Sequence, residues 1–146
     1  MEIRTARKDD LPLLLELYAQ LHGNAMPRFD LKLETLWNGI LADDNHHIVV
    51  GVSDGAIVSS CVLVIVPNLT HNQRPYALVE NVVTHEAHHN RGHATRLLHF
   101  ARDEAVRRGC YKMMLMTGSK KESTLRFYER AGYNRTDKTA FIQWLE

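Results

Sequence analysis

Hydrophobic positions along the chain switch between a period of two and a period near 3.6, and the switches mark out the elements. Ile3 to Arg7 reads as a short strand, after which Asp9, Asp10 and Pro12 supply the acidic first turn and early proline of a helix through Leu21. A second helix is expected from about Asp30 to Ala42. His46 to Val52 and Ala56 to Val66 are rich in β-branched residues and are separated by Ser53-Asp54-Gly55, where Asp-Gly tolerates the positive φ of a tight hairpin. These two strands are therefore antiparallel. Asn68 to Pro75 is a polar loop, and Tyr76 to Thr84 returns to strand composition.

Ala94, Leu97, Leu98, Ala101 and Ala105 then recur on one face of a long helix over 93–108, which Arg107, Arg108 and Gly109 end with cations and a glycine able to take positive φ. Tyr111 to Thr117 reads as the next strand, so a strand, a crossover helix and a strand predict a parallel pair. A short helix from about Ser123 to Ala131 stops at Gly132, and Ala140 to Leu145 reads as a final strand. The expected fold class is α/β (α+β), a mixed sheet with helices on both faces, in one domain spanning 1–146.

Composition narrows the function. A chain of 146 residues can bury roughly two thirds of its extended surface without staples. With 45% apolar and 24% charged residues and a net charge of +1, neither disorder nor a nucleic-acid-scale basic surface is indicated, so the expected partner is a small molecule. Cys61 and Cys110 follow no disulfide or metal pattern and read as reduced thiols of a cytoplasmic protein. MEIRTARKDDL has no apolar signal core, and the apolar run from Cys61 to Val66 is too short to cross a bilayer, so no membrane partner is expected.

Two chemistries compete between Val79 and Leu98. His85, Glu86 and His89 satisfy the H-E-x-x-H spacing of zinc hydrolases, which needs both imidazoles on one helix face. The same stretch also leads from the strand residues Val82, Val83 and Thr84 through a polar turn to Gly92 at the start of a helix, where free backbone N–H groups can converge on an anion. Asn90-Arg91-Gly92 is turn-like, which leaves no room for a regular helix around both histidines and favours the anion cradle. Gly92 lets backbone approach a ligand, Ala94 does not obstruct, and Asn90 tolerates left-handed φ.

These residues resemble the pyrophosphate loop, Q/R-x-x-G-x-G/A, of the GNAT superfamily of acetyl-CoA-dependent N-acetyltransferases. His89-Asn90-Arg91-Gly92-His93-Ala94 aligns with it, although His89 replaces the usual glutamine or arginine and Asn90 a frequent glycine. A second segment, LRFYERAGY at 125–133, resembles the family's F-Y-E-K-x-G-F/Y stretch, and the order of elements matches over nearly the whole length. The resemblance implies a mostly antiparallel sheet whose central parallel pair splays at the cofactor. It also implies that acetyl-CoA is bound through the backbone of Val82 and Val83 and through the loop from His89 to Thr95, and that Tyr128 protonates the departing thiolate.

The acceptor amine must lose a proton before it attacks. Glu80, a charged residue in a β-rich segment, is the leading base; His85 and a water relay remain alternatives, and Asn81 reads as structural. The expected reaction is direct transfer of acetyl to a primary amine in a ternary complex. The rivals are a non-catalytic coenzyme-A-binding module and the zinc hydrolase. Gly109-Cys110-Tyr111-Lys112 and Val79 to Val83 resemble, more weakly, stretches of glucosamine-phosphate N-acetyltransferases, and a homodimer is possible.

Overall fold

The computed structural model describes residues 1–21 and 25–146. The alternating runs form strands β1 (Glu2–Thr5), β2 (His46–Ser53), β3 (Ala56–Val66), β4 (Tyr76–Thr84) and β5 (Met113–Leu115), hydrogen-bonded in that order in one sheet. β1 to β4 pair antiparallel, and β4 pairs parallel with β5. Asp54 at φ 51° and Gly55 at φ 79° turn the chain between β2 and β3, as the Asp-Gly pair predicts. The helices are α1 (Leu11–Tyr18), α2 (Leu31–Ala42), the single turn α3 (Thr70–Gln73), α4 (His93–Arg107) and α5 (Glu122–Arg130). Within α3, His71, Asn72 and Gln73 all have positive φ, and the His71 ring stacks on Tyr111 at 3.9 Å.

Strand alternation divides the core between the two faces of the sheet. Val49, Cys61, Leu63, Ala77 and Val79 pack on one side with Leu97, Leu98, Ala101 and Ala105, the helical face read from the sequence of α4. Ile48, Val50, Ile57, Val62 and Val83 pack on the other with Leu14 and Leu17 of α1 and Trp37 of α2. The Trp37 indole N–H finds its partner in the Lys8 carbonyl at 3.0 Å, so the ring is buried without stranding a donor.

A paired charge fixes β1 to the start of α1. Asp10 accepts from both terminal nitrogens of Arg4, at 2.6 and 2.9 Å, and from the Arg7 backbone N–H at 2.6 Å. The hydrogen bond from Arg4 holds the Asp10 carboxyl below its ordinary range, against the opposing effect of burial. A depressed carboxyl pKa contributes stability that is present above the unfolded-state value and is lost as pH falls through the folded one. Asp10→Ala removes both of the carboxylate's bonds to Arg4 and leaves the Arg7 N–H without its partner, and is expected to cost about 3 kcal/mol at pH 7. Urea denaturation would measure this, and the gap between the two proteins should narrow as pH drops below about 4.

Beyond the single turn α3 inside the expected loop and the earlier end of β1, the structure departs from the sequence reading at three places. α1 ends at Tyr18 rather than Leu21, because the next bonds, Gln20 N–H to Leu17 and Leu21 N–H to Tyr18, are the shorter i to i−3 kind that close a helix. β5 is three residues long, since its pairing with β4 stops at Val79 opposite Leu115. The strand expected over 140–145 is absent: those residues have no strand partner and lie exposed, because a strand, unlike a helix, cannot satisfy its backbone from within.

Candidate active site

The site begins where β4 loses one neighbour. β4 pairs with β3 along most of its length, but its other edge is bonded to β5 only at Ala77, Leu78 and Val79. From Glu80 to Thr84 that edge faces an open wedge among the described residues. Here β4 also carries a bulge: Ser60 opposes Val83 and Val62 opposes Glu80, so Asn81 and Val82 share the single residue Cys61. Asn81 takes φ 49°, a left-handed conformation that asparagine tolerates, and the register of every later residue on β4 is shifted by it. Val82 is half-buried beside the α4 core and Val83 is buried against α1, so their side chains are structural. Their backbone groups are what the wedge can use.

The chain leaves β4 through His85, a 3-10 turn at Glu86–His88, and His89, which is extended. The Ala87 N–H donates to His85 Nδ1 at 3.2 Å, His89 Nε2 lies 2.8 Å from the Thr84 carbonyl, and the Glu86 N–H donates to Gln20 Oε1 at 3.2 Å. The two imidazoles of H-E-x-x-H therefore brace a strand exit. They do not share a helix face, and no three metal-binding side chains converge among the described residues, so the zinc-hydrolase expectation loses its structural premise.

Asn90 at φ 59° and Gly92 at φ 75° then turn the backbone into α4. The first helical bond runs from Arg96 N–H to the Gly92 carbonyl at 3.1 Å, so the N–H groups of His93, Ala94 and Thr95 have no carbonyl beneath them in the helix. Gly92, the residue before the helix, has no side chain with which to cap them, and a Cβ placed there would meet nothing within 4 Å. Open space over unbonded donors at the positive end of a fifteen-residue helix is a fit for pyrophosphate. Arg91 and Arg96 add positive charge. Burial lowers the pKa of His93, followed by His88, the N-terminal ammonium and then these two arginines.

Tyr128 stands on α5 across the same core. Its ring meets Phe127 edge-on at 4.9 Å and Tyr133 at 6.2 Å, and Tyr128 and Val82 both pack against the cluster centred on α4. Burial raises the Tyr128 phenol above its ordinary pKa. Glu80 is exposed at the foot of the wedge, one residue before the bulge.

Three further hydroxyls are buried against the sheet, with Tyr18 on its α1 side and Tyr133 on its α4 side. Ser60 Oγ and the hydroxyls of Tyr18 and Tyr133 are buried and make no hydrogen bond of ordinary geometry, yet while burial raises the pKa of Tyr18, Ser60 lies close enough to lower it against that larger effect. The serine pair inside the apolar run of β3 was a visible signal for Ser60; Tyr18 had none, since it occupies an ordinary apolar-face position of α1. Cys61 is buried on the α4 side of the sheet, and burial pushes its thiol up to about 12. Such a thiol is not a nucleophile at neutral pH. A separate cleft of about 550 Å³, lined by Phe29, Leu31, Trp37 and Pro12 among others, opens at the N-terminal end of α1. Gln20, which touches the loop, is at the other end, roughly 12 Å away by helical rise, so that cleft is not this site.

The site combines a strand edge left unpaired beyond Val79, uncapped N–H groups at the start of α4 and a half-buried phenol on α5. The chain matches the acetyltransferase (GNAT) family over residues 11–133 and belongs to it. It is an N-acetyltransferase with acetyl-CoA as cosubstrate. Among solved structures it resembles a putative acetyltransferase from Agrobacterium tumefaciens strain C58, at 35% identity and TM-score 0.91 over 99% of this chain and 100% of that one. It also resembles a transcriptional regulator from Bacillus halodurans C-125, at 26% identity and TM-score 0.85 over 98% and 99% of the two chains. Glucosamine-6-phosphate N-acetyltransferase from Arabidopsis thaliana shares the fold, at 21% identity and TM-score 0.87 over 99% and 98%. No curated protein matches the sequence. No helix among the described residues is long and apolar enough to cross a membrane.

Proposed function

We propose that this chain, as one domain over 1–146 working in the cytoplasm, transfers acetyl from acetyl-CoA to the primary amine of a small molecule by direct attack in a ternary complex. The observation that carries this reading is the unpaired edge of β4 beyond Val79, which leads without interruption to the uncapped N-terminus of α4. Backbone groups of Val82 and Val83 hold the pantetheine arm as an added strand would be held. The loop from His89 to Thr95 receives the pyrophosphate. Acetyl-CoA supplies the activated thioester, and Tyr128 donates a proton to the sulfur as it departs. The high thiol pKa of Cys61 supports transfer without an acetyl-enzyme.

Glu80 is the first residue of β4 beyond its pairing with β5 and precedes the bulge at Asn81, and we assign it the role of removing the amine proton, directly or through water. Glu80→Gln is expected to lower kcat/KM about tenfold at pH 7, less than the range for a buried base because water has access to an exposed side chain. The deficit should shrink as pH rises and more of the amine arrives deprotonated, which a pH series of thiol release would show.

The decisive experiment is a thiol-release screen with acetyl-CoA across aminosugars and their phosphates, polyamines, amino acids and peptide N-termini. Thiol release that depends on one class of amine, with an N-acetylated product and no acetyl-enzyme by intact mass, is the expected result. Coenzyme A binding with no amine-dependent release across the panel would instead make the chain a non-catalytic binding module.

A further inference from the structure

His85, His88, His89 and His93 all lie on the short path that leads from β4 into α4. Three of their rings form a row: His85 meets His88 at 5.7 Å between centroids, and His88 meets His93 at 5.9 Å. All three residues are half-buried. His93 is the first residue of α4, so the row ends beside the N–H groups that have no carbonyl beneath them. Its Nδ1 is buried without a hydrogen-bond partner, where a buried polar atom ordinarily has one.

Hydrogen bonds decide which rings are free to gain a proton. His85 Nδ1 accepts from the Ala87 N–H at 3.2 Å, and a proton placed there would break that bond. His89 Nε2 donates to the Thr84 carbonyl at 2.8 Å, since a carbonyl only accepts, and a neutral or a charged ring makes that bond equally. His88 and His93 are left, with no hydrogen bond from either ring among the described residues. Burial lowers the pKa of His93, followed by His88, the N-terminal ammonium, Arg91 and Arg96, so every charge that reaches it is positive. Glu86, the nearest acid along the chain, is exposed. Surroundings of this kind keep a pair of imidazoles neutral until an anion lies beside them.

We propose that His88 and His93 gain protons as the diphosphate of coenzyme A binds, so that the loop captures its cofactor more tightly as pH falls. This rests on the reading of the loop as the diphosphate site, and it supplies cationic donors where His89 replaces the family's glutamine or arginine. The sign follows from linkage. A bound anion raises the imidazole pKa, so the added affinity is full below the free-state value and is lost as pH rises through the bound-state one. An imidazole makes that change between pH 5 and 8, where no other ordinary side chain titrates.

Isothermal titration calorimetry from pH 6 to 8.5 tests this, in phosphate-free buffers paired by different ionisation enthalpies so that proton uptake is read directly. Dephospho-coenzyme A is the probe, because a phosphate monoester such as the cofactor's 3′-phosphate itself titrates near pH 6 and would oppose the effect. Binding at least about tenfold tighter at pH 6 than at pH 8.5, with uptake of roughly one proton at pH 7, is the expected result. His88→Gln/His93→Gln should flatten the profile to within about twofold and abolish the uptake, with circular dichroism at each pH as the control for folding. Should the double variant fail to fold, His88→Gln alone should reduce the uptake by about half. An affinity independent of pH, or a slope that survives these substitutions, would overturn the proposal and leave the assignment of the loop standing. No binding at any pH would overturn both.

Discussion

Tyr128→Phe is expected to lower kcat about a hundredfold while the KM for acetyl-CoA stays within about twofold. The substitution removes one oxygen and leaves the ring, so the edge contacts with Phe127 and Tyr133 and the packing against the α4 core persist. What goes is the proton donor. A thiol of pKa near 8.5 is a fair leaving group even as its anion, which places the loss toward the low end of the usual general-acid range. Burial raises the Tyr128 phenol, so the protonated form the step requires is retained through neutral and mildly alkaline pH. The kcat profile of the unaltered enzyme should therefore show no alkaline fall from this group below pH 10. Rates of thiol release for both proteins, taken across pH 6 to 10 with saturating acetyl-CoA, provide the check. Equal turnover throughout would remove Tyr128 from the mechanism. Tyr133→Phe is the control: its hydroxyl is buried and unpartnered, so deleting it should change kcat by less than about threefold and leave stability equal or higher.

The sequence carried those parts of this site that depend on local backbone chemistry. Asp54-Gly55 announces its turn because few other pairs accept two positive φ angles, and the loop through Asn90 and Gly92 is legible for the same reason. The α4 face is legible because five small or apolar residues recur at helical spacing with a glycine stop. H-E-x-x-H misleads when taken alone, and the strand before it with the turn after it corrects the error. The bulge at Asn81 was not visible, since one extra residue on β4 becomes apparent only against its partner Cys61. The 140–145 strand misled for a related reason. Strand composition states a need for a partner without naming one, and residues 140–145 find none among the described residues. The proximity of Ser60 and Tyr18 was likewise not visible, since it arises only when α1 packs on the sheet.

Gly92→Asp should abolish measurable binding of coenzyme A while leaving the fold intact, a loss of more than about a hundredfold in affinity. At φ 75° any side chain is strained, but aspartate tolerates the left-handed region better than most residues and its Cβ would meet no neighbour. The folding cost is therefore about 1 kcal/mol, partly offset because a carboxylate beside the N-terminus of α4 favours the helix dipole. That same carboxylate stands over the unbonded N–H groups of His93, Ala94 and Thr95, where the pyrophosphate would sit. Two like charges about 5 Å apart repel by roughly 3 kcal/mol at a surface-like dielectric, which is already more than a hundredfold in a dissociation constant, before lost hydrogen bonds are counted. Gly92→Ala separates the two effects, because it carries the backbone strain without the charge and should weaken binding only a few-fold. Thermal unfolding with and without coenzyme A distinguishes them: a ligand at a hundred times its dissociation constant stabilises by about 2.7 kcal/mol, and that gain should survive in part in the alanine variant and vanish in the aspartate one. Equal stabilisation of the aspartate variant and the unaltered protein would move the pyrophosphate away from this loop.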